Sequence, residues 1–319
     1  MKLSLCPQAL YDKTLGEAVE FIAALGIQAI ELPVDSSNPW IDAAALAAGD
    51  CDALRGALQE HGLSISAVSV HQDGQLLLGP HHRDTDSICP GTPAEKSAFA
   101  AERILRAGRI AHHLGVDVVV GFVGCEDYSR WFPWPQASSW EDMMPAFRER
   151  MLPVLDELAQ LDVKFAQEPH PKQIVYNTET ALESLGVLDA HPSWGFNLDP
   201  GNLLLAGVDP VIFVAELQEH VLHVHAKDGE LVPHNIGRSG LLAHGAWQRP
   251  DRGFRFRIPG WGDVPWKRLI TELILTGYRG YLAVENEDPV FAPADGLRKA
   301  VEHLLPLLPG EDSPQEQWW

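Results

Sequence analysis

The chain alternates eight short apolar segments of strand character with segments whose apolar residues recur three and four positions apart. The strand segments cover residues 3–6, 29–33, 64–70, 117–123, 164–171, 194–202, 221–228 and 281–288. Each of the last four runs ends in a polar group followed by a proline, glycine or other breaker. A strand and helix rhythm repeated along the chain is typical of βαβ units, which build a parallel sheet with helices outside it.

Four helix-period segments, 15–25, 51–61, 102–114 and 266–276, are each followed directly by a glycine. A glycine at that place accepts the left-handed geometry that ends a helix. With eight strands, the sequence predicts an α/β fold, a single (β/α)8 TIM barrel over residues 1–309 with a polar tail at 310–319. A doubly wound open sheet is the rival, but its G-x-G-x-x-G turn after the first strand is missing.

Two connections are longer than the rest and follow strands 3 and 7. Residues 71–98 are polar and broken by prolines, and residues 228–263 hold five arginines and two tryptophans. Loops that follow barrel strands overhang one mouth, where the active sites of such barrels lie. We therefore expect both long loops to cover the site.

Charge and cysteine usage exclude several classes of protein. The 24 Lys and Arg residues against 44 Asp and Glu give a formal charge of −20, which repels nucleic acid and anionic membranes. The four cysteines lie far apart without a C-x-x-C pair, and no apolar stretch reaches the length of a membrane span. We expect a reduced, cytoplasmic protein without nucleic-acid or membrane partners. Nothing in the sequence specifies an oligomeric state, so a homo-oligomer stays open.

Four polar side chains end the last four strand segments: Glu168, Asp199, His225 and Glu285. At the mouth of a parallel barrel these ends face one another. Three carboxylates and one imidazole suit a divalent ion, and the sequence predicts one Mn, Mg, Co or Zn ion at this place. One such residue alone would as often cap a loop or form an ion pair, but four in successive strands favour the metal.

Glu168 and Glu285 are the predicted proton-transfer pair. Two carboxylates beside a metal-polarised substrate can remove a proton from a carbon and return one on the other side. His225 is preceded on the same strand face by His223, which lies deeper and is more typical of a satisfied core histidine.

Further side chains near the same mouth are candidates for substrate binding. A histidine or lysine can bind sugar hydroxyls, a tryptophan can stack on a sugar ring, and an arginine can bind a phosphate. The candidates are His71, His170, Lys227, Arg238 and Trp261. Glu31, at the end of the second strand, carries little weight by itself.

Several motifs resemble those of the sugar phosphate isomerase/epimerase family of xylose-isomerase-like barrels, which includes inosose and ketose 3-epimerase branches. They are QEPHP at 167–171, NLDPGN at 197–202, HVHAKD at 223–228, PGWGDVPW at 259–266 and AVENED at 283–288. The resemblance runs from the first strand to about residue 305. It implies that the Glu, Asp, His and Glu quartet binds the metal and that the two glutamates act as acid and base.

One position departs from the ketose 3-epimerase branch. That branch commonly has a histidine three residues after the metal aspartate, where this chain has Asn202. An amide can donate a hydrogen bond, here to a substrate, but cannot exchange protons as imidazole does. The sequence therefore favours a metal-dependent isomerase or epimerase of a small sugar, keto-sugar or cyclitol, working through an enediolate. A lyase that eliminates a group from a 3-keto glycoside is the alternative.

Two other readings of the same fold are weaker. A phosphodiesterase like endonuclease IV would need extra ligands for several metals, such as His71, His112 and His113, and a surface that tolerates DNA. The charge of −20 opposes it. A non-catalytic barrel would crowd carboxylates together without a cation, which is an unfavourable arrangement.

Overall fold

A computed structural model of the protein describes residues 1–135 and 137–310. Eight parallel strands close into a barrel in the order β1-β10-β7-β6-β5-β4-β3-β2, which confirms the predicted (β/α)8 fold. The strands are β1 Lys2–Leu5, β2 Ala29–Pro33, β3 Ser64–Val70, β4 Val118–Gly121, β5 Lys164–Gln167, β6 Trp194–Leu198, β7 Val221–Ala226 and β10 Tyr281–Val284. The predicted tail lies outside the described residues from position 311 onward.

Helices surround the barrel and connect its strands. They are α1 Leu15–Ala24, α2 Ala43–Ala47, α3 Asp52–Gln59, α4 Pro93–Leu114, α5 Met144–Gln160, α6 Thr178–Val187, α7 Pro200–Leu205, α8 Pro210–Leu217, α9 Pro233–Ser239, α10 Trp266–Leu275 and α11 Pro293–Leu304. The four glycines predicted to end helices all have positive φ, such as 72° at Gly115 after α4. Within the described residues, no helix combines the length and hydropathy needed to cross a bilayer.

The connection after β3 is shorter than its sequence suggested. Helix α4 begins at Pro93, inside the segment expected to be irregular. Thr92 and Glu95 form a capping box there, in which each side chain accepts a hydrogen bond from the other residue's backbone N–H. The capping box and the proline start the helix before its apolar period becomes recognisable.

The connection after β7 has regular structure of its own. Its ends pair as an antiparallel hairpin of β8 (Asp228–Leu231) and β9 (Phe254–Arg257), with α9 between them. Phe254 and Phe256 pack with Leu205 in a small separate core. A third long connection, residues 122–143 after β4, was not predicted; its described residues, all but position 136, include two short 3-10 turns at Tyr128–Trp131 and Glu141–Met143.

The strand period of two separates two faces. Phe196, Leu198 and Val224 face outward into the large core between barrel and helices. Toward the amino ends of the strands the lumen is filled by small residues: Ala67, Val118, Val120 and Ala166. The polar groups at the opposite ends of the strands are therefore left to form the site.

Candidate metal centre and active site

The four predicted ligands meet where the carboxyl ends of the strands converge. Glu168, Asp199 and Glu285 each directly follow a strand, and His225 is the penultimate residue of β7. His225 Nδ1 lies 2.9 Å from Glu168 Oε2 and 3.3 Å from Glu285 Oε2. Glu168, Asp199 and His225 are buried, and the side chain of Glu285 is 18% exposed. The quartet thus forms one cluster centred on His225.

The lone pairs of this cluster fit a divalent cation. His225 Nδ1 is buried without a hydrogen-bond partner, although carboxylate oxygens of Glu168 and Glu285 lie 2.9 and 3.3 Å from it. Buried polar atoms are rarely left unpaired, so such atoms indicate a missing partner. Ligand atoms of Asp199, His225 and Glu285 lie within 4.8 Å of one another, and those of His71, Glu168 and His225 form a second such group. Oxygen and imidazole donors in this arrangement suit a Mn, Mg, Co or Zn ion.

Glu31 anchors His225 from the side opposite the quartet. Its Oε2 lies 2.8 Å from His225 Nε2 and 3.1 Å from His223 Nε2. A metal-binding histidine usually donates its other ring N–H to a carboxylate, which fixes the tautomer. Although burial opposes ionisation, the two histidines hold the pKa of Glu31 well below its usual range. Glu31, which carried little weight in the sequence, therefore supports the site directly.

Two amides hold the Glu168 carboxylate. Asn197 donates to its Oε2 at 2.8 Å, and Asn202 donates to its Oε1 at 2.7 Å. Asn202 also donates to Asp199 Oδ2 at 2.9 Å, so it links the ends of β5 and β6. His71 Nε2 lies 3.1 Å from Glu168 Oε2. Asn202, predicted to bind substrate, is buried against two carboxylates instead.

Lys227 is buried among three carboxylates. Its Nζ lies 2.9 Å from both Asp199 Oδ2 and Glu285 Oε2, and it donates a hydrogen bond to Glu287 at 3.2 Å. Burial would raise the pKa of Glu285, but Lys227 and His225 hold it at about 2. Burial raises the pKa of Asp199 to about 7 despite the nearby ammonium. A cation would relieve this cost by favouring the ionised carboxylate.

A cavity of ≈ 310 Å³ opens above the cluster. Of the quartet, Glu168 and Glu285 line it, whereas Asp199 and His225 lie deeper. The predicted His71, His170 and Lys227 also line it. Further lining residues that the sequence analysis did not identify include Tyr11, Asp35, Phe122, Asn286 and Glu287. Two of these, Tyr11 and Asp35, follow β1 and β2 in the chain, where the sequence contains no recognised motif.

Two predicted substrate residues lie away from this cavity. Arg238 does not line it; its side chain is 74% exposed and 3.8 Å from Asp251. Trp261 is half exposed and packs edge-on against Phe291, with ring centroids 4.8 Å apart. Arg238 lies on α9, between the two strands of the hairpin, and Trp261 lies beyond β9; neither lines the cavity.

Comparison with known proteins assigns the fold to a family. The pattern of the xylose isomerase-like TIM barrel family matches residues 19–307. The chain belongs to this family. The uncharacterized protein YfiH of Bacillus subtilis is 26% identical over 321 residues, covering 95% of this chain and 98% of YfiH. Inosose dehydratase of Lacticaseibacillus casei is 30% identical over 108 residues, which span 33% of this chain and 35% of that enzyme.

Solved structures of other proteins have the same fold. IolI with a bound zinc atom superposes with a TM-score of 0.68 at 17% identity, covering 96% of this chain and 98% of IolI. The 3-keto-D-glucoside 4-epimerase YcjR of E. coli superposes with a TM-score of 0.65 at 17% identity, covering 94% and 98%. At this identity the likeness is one of fold.

Proposed function

We propose that the protein is a divalent-metal-dependent isomerase or epimerase of a small keto-sugar or cyclitol that works through an enediolate. The observation that carries the proposal is the convergence of carboxylates on His225 Nδ1 at the barrel mouth, a buried atom that has no hydrogen-bond partner. Glu168, Asp199, His225 and Glu285 would hold the ion. When bound, the ion supplies Lewis-acid polarisation of a substrate carbonyl or hydroxyl, which lowers the cost of an enediolate.

The two glutamates that line the cavity differ in what holds them. Glu168 receives amide hydrogen bonds on both oxygens, so its position is fixed. Glu285 is more exposed, at 18% against 3%, and its Oε2 contacts the flexible ammonium of Lys227 at 2.9 Å rather than an amide. We assign proton removal from the substrate carbon to Glu285 Oε2 and proton return to Glu168. Asp199 and His225 lie below the cavity and hold the ion only.

Three other cavity side chains would orient the substrate. Lys227 can donate to a substrate oxygen from beside Glu285. The imidazole rings of His71 and His170 both pack against the ring of Phe122, with centroid distances of 4.8 and 5.4 Å. Burial lowers the pKa of His170, which favours the neutral ring that can both donate and accept a hydrogen bond.

Proton exchange tests this proposal. The Mn-loaded protein is incubated in deuterated water with ketoses, inososes and 3-keto glycosides, and deuterium at substrate carbons is followed by NMR. We expect exchange with at least one class of substrate, and loss of exchange in Glu285→Gln and Glu168→Gln. Glu302→Gln, an exposed change on α11, is the matched control. Exchange that persists in both cavity variants would refute the assigned roles.

Elimination is the second candidate, and two observations favour it. Inosose dehydratase, an enzyme named for removing water, matches part of the chain. At the position where ketose 3-epimerases commonly have a histidine, Asn202 binds Glu168 and Asp199. The same enediolate can lose a group from the neighbouring carbon. Product mass separates the two reactions, because isomerisation preserves the mass and elimination releases a second molecule.

A further inference from the structure

The charged groups of the cavity are almost all acidic. Four carboxylates line it: Asp35, Glu168, Glu285 and Glu287. Lys227 is the single lysine or arginine among the described residues that line it. Asp35 accepts backbone N–H groups on both oxygens, at 2.8 and 3.0 Å. A ligand therefore meets a strongly negative wall.

The positive charge available in the cavity is already matched. The ammonium of Lys227 lies within 3.2 Å of three carboxylates. Together with a divalent ion it would balance the three carboxylates of the quartet. Asp35 and Glu287, in the cavity wall, are carboxylates beyond those three. Among the described residues that line the cavity, no lysine or arginine is left unpaired to bind an anionic group on a ligand.

The arginines of the connection after β7, which could bind a phosphate, are paired elsewhere. Arg257 contacts Asp288 at 2.8 Å and Glu230 at 2.7 Å, and Glu230 also receives Arg255 at 3.3 Å. The guanidinium of Arg252 lies 4.3 Å from the centre of a tryptophan ring. The remaining two, Arg238 and Arg249, face Asp251. None of the five lines the cavity.

We infer that the site takes an uncharged, polyhydroxylated ligand of single-ring size and discriminates against phosphorylated or carboxylated analogues; this rests on the proposed function. A volume of ≈ 310 Å³ is at the small end of the range for ligand pockets, about 300 to 1,000 Å³. Sugar hydroxyls can donate to the carboxylates of the wall, whereas a phosphate or carboxylate would be repelled by them. The substrate class is therefore a free keto-sugar or cyclitol.

Ligand pairs in which one member carries an additional anionic group test this inference. The Mn-loaded protein is titrated with D-fructose and D-fructose 6-phosphate, and with methyl quinate and quinate. Binding is read from the relaxation of water protons by the bound Mn, after subtraction of titrations with free Mn. We expect the uncharged member of each pair to bind about tenfold or more tightly than its charged partner. Tighter binding of the charged members, or no response to any member, would overturn the inference.

One variant and a control test whether the carboxylates of the cavity wall cause the preference for uncharged ligands. Glu287→Gln removes a carboxylate whose side chain is 48% exposed and leaves the quartet unchanged. It should reduce, several-fold, the ratio of affinities for the uncharged and charged ligands. Glu302→Gln, which removes an equal charge on α11, should leave the preference unchanged. If Mn fails to bind, the proposed function and this inference both fail. If Mn binds and the charged ligands are preferred, only the inference fails.

Discussion

Replacing Glu31 with glutamine tests how the metal centre is held. Both histidine Nε2 atoms contact the same carboxylate oxygen, Oε2, at 2.8 Å from His225 and 3.1 Å from His223. The amide oxygen of Glu31→Gln can keep both contacts, and its NH2 group would take the place of Oε1, which has no partner. The change therefore removes a charge with little loss of packing.

The expected effect is on metal affinity. A hydrogen bond to a charged group contributes about 1.5 to 3 kcal/mol and a neutral one about 0.5 to 1.5 kcal/mol, so His225 loses about 1 to 1.5 kcal/mol of support. Without the Glu31 charge the imidazole of His225 is less basic, which weakens its bond to the metal further. Loss of such a supporting carboxylate typically lowers metal affinity 10- to 100-fold, which is about 1.4 to 2.7 kcal/mol. We expect Mn or Zn binding to Glu31→Gln to weaken by that factor.

Calorimetric titration of the purified variant with Mn measures the affinity, and thermal unfolding of the metal-free protein measures the fold. Glu302→Gln is the control, because it removes an equal charge from an exposed position on α11, away from the quartet. Unchanged Mn affinity in Glu31→Gln, or an equal loss in the control, would refute the reasoning.

Three further predictions concern stability. In Gly121→Ala, the added Cβ would lie 2.3 Å from the carbonyl oxygen of Val70, and we expect the free energy of unfolding to fall by about 1 to 3 kcal/mol. Thr92→Ala removes the cap of α4 and should cost about 1 kcal/mol in urea unfolding. Burial lowers the pKa of His81 below its usual 6.5. Protonation therefore favours the unfolded chain, and the His81 contribution to stability, full above pH 6.5, should decline as the pH falls.

Each of these has a contradicting outcome. Gly186→Ala, where a Cβ meets nothing within 4 Å, should raise stability, and an equal loss there would contradict the steric argument for Gly121. Thr92→Ser should restore the cap, so its failure to recover stability would contradict that prediction. His81→Gln should flatten the acid side of the stability profile, and an unchanged profile would exclude His81 as the cause.

The alternation of strands, helices and glycines predicted the barrel, the positions of its eight strands and those of four of its helices. It did so because the strand period of two and the helix period of 3.6 are local properties of the sequence. The hairpin after β7 and the early start of α4 were not predicted. The hairpin depends on pairing Asp228–Leu231 with Phe254–Arg257 across more than twenty residues, and no local pattern specifies such a pair.

The sequence by itself also predicted the quartet, because residues at the carboxyl ends of successive parallel strands must share one mouth. Only the tertiary structure decided which other side chains join it. Glu31 meets His225 across the barrel from 194 residues away. Lys227 enters the cluster, whereas Arg238 and Trp261 stay outside the cavity. Contacts between distant segments depend on barrel closure and loop packing, which short-range patterns in a single sequence do not encode.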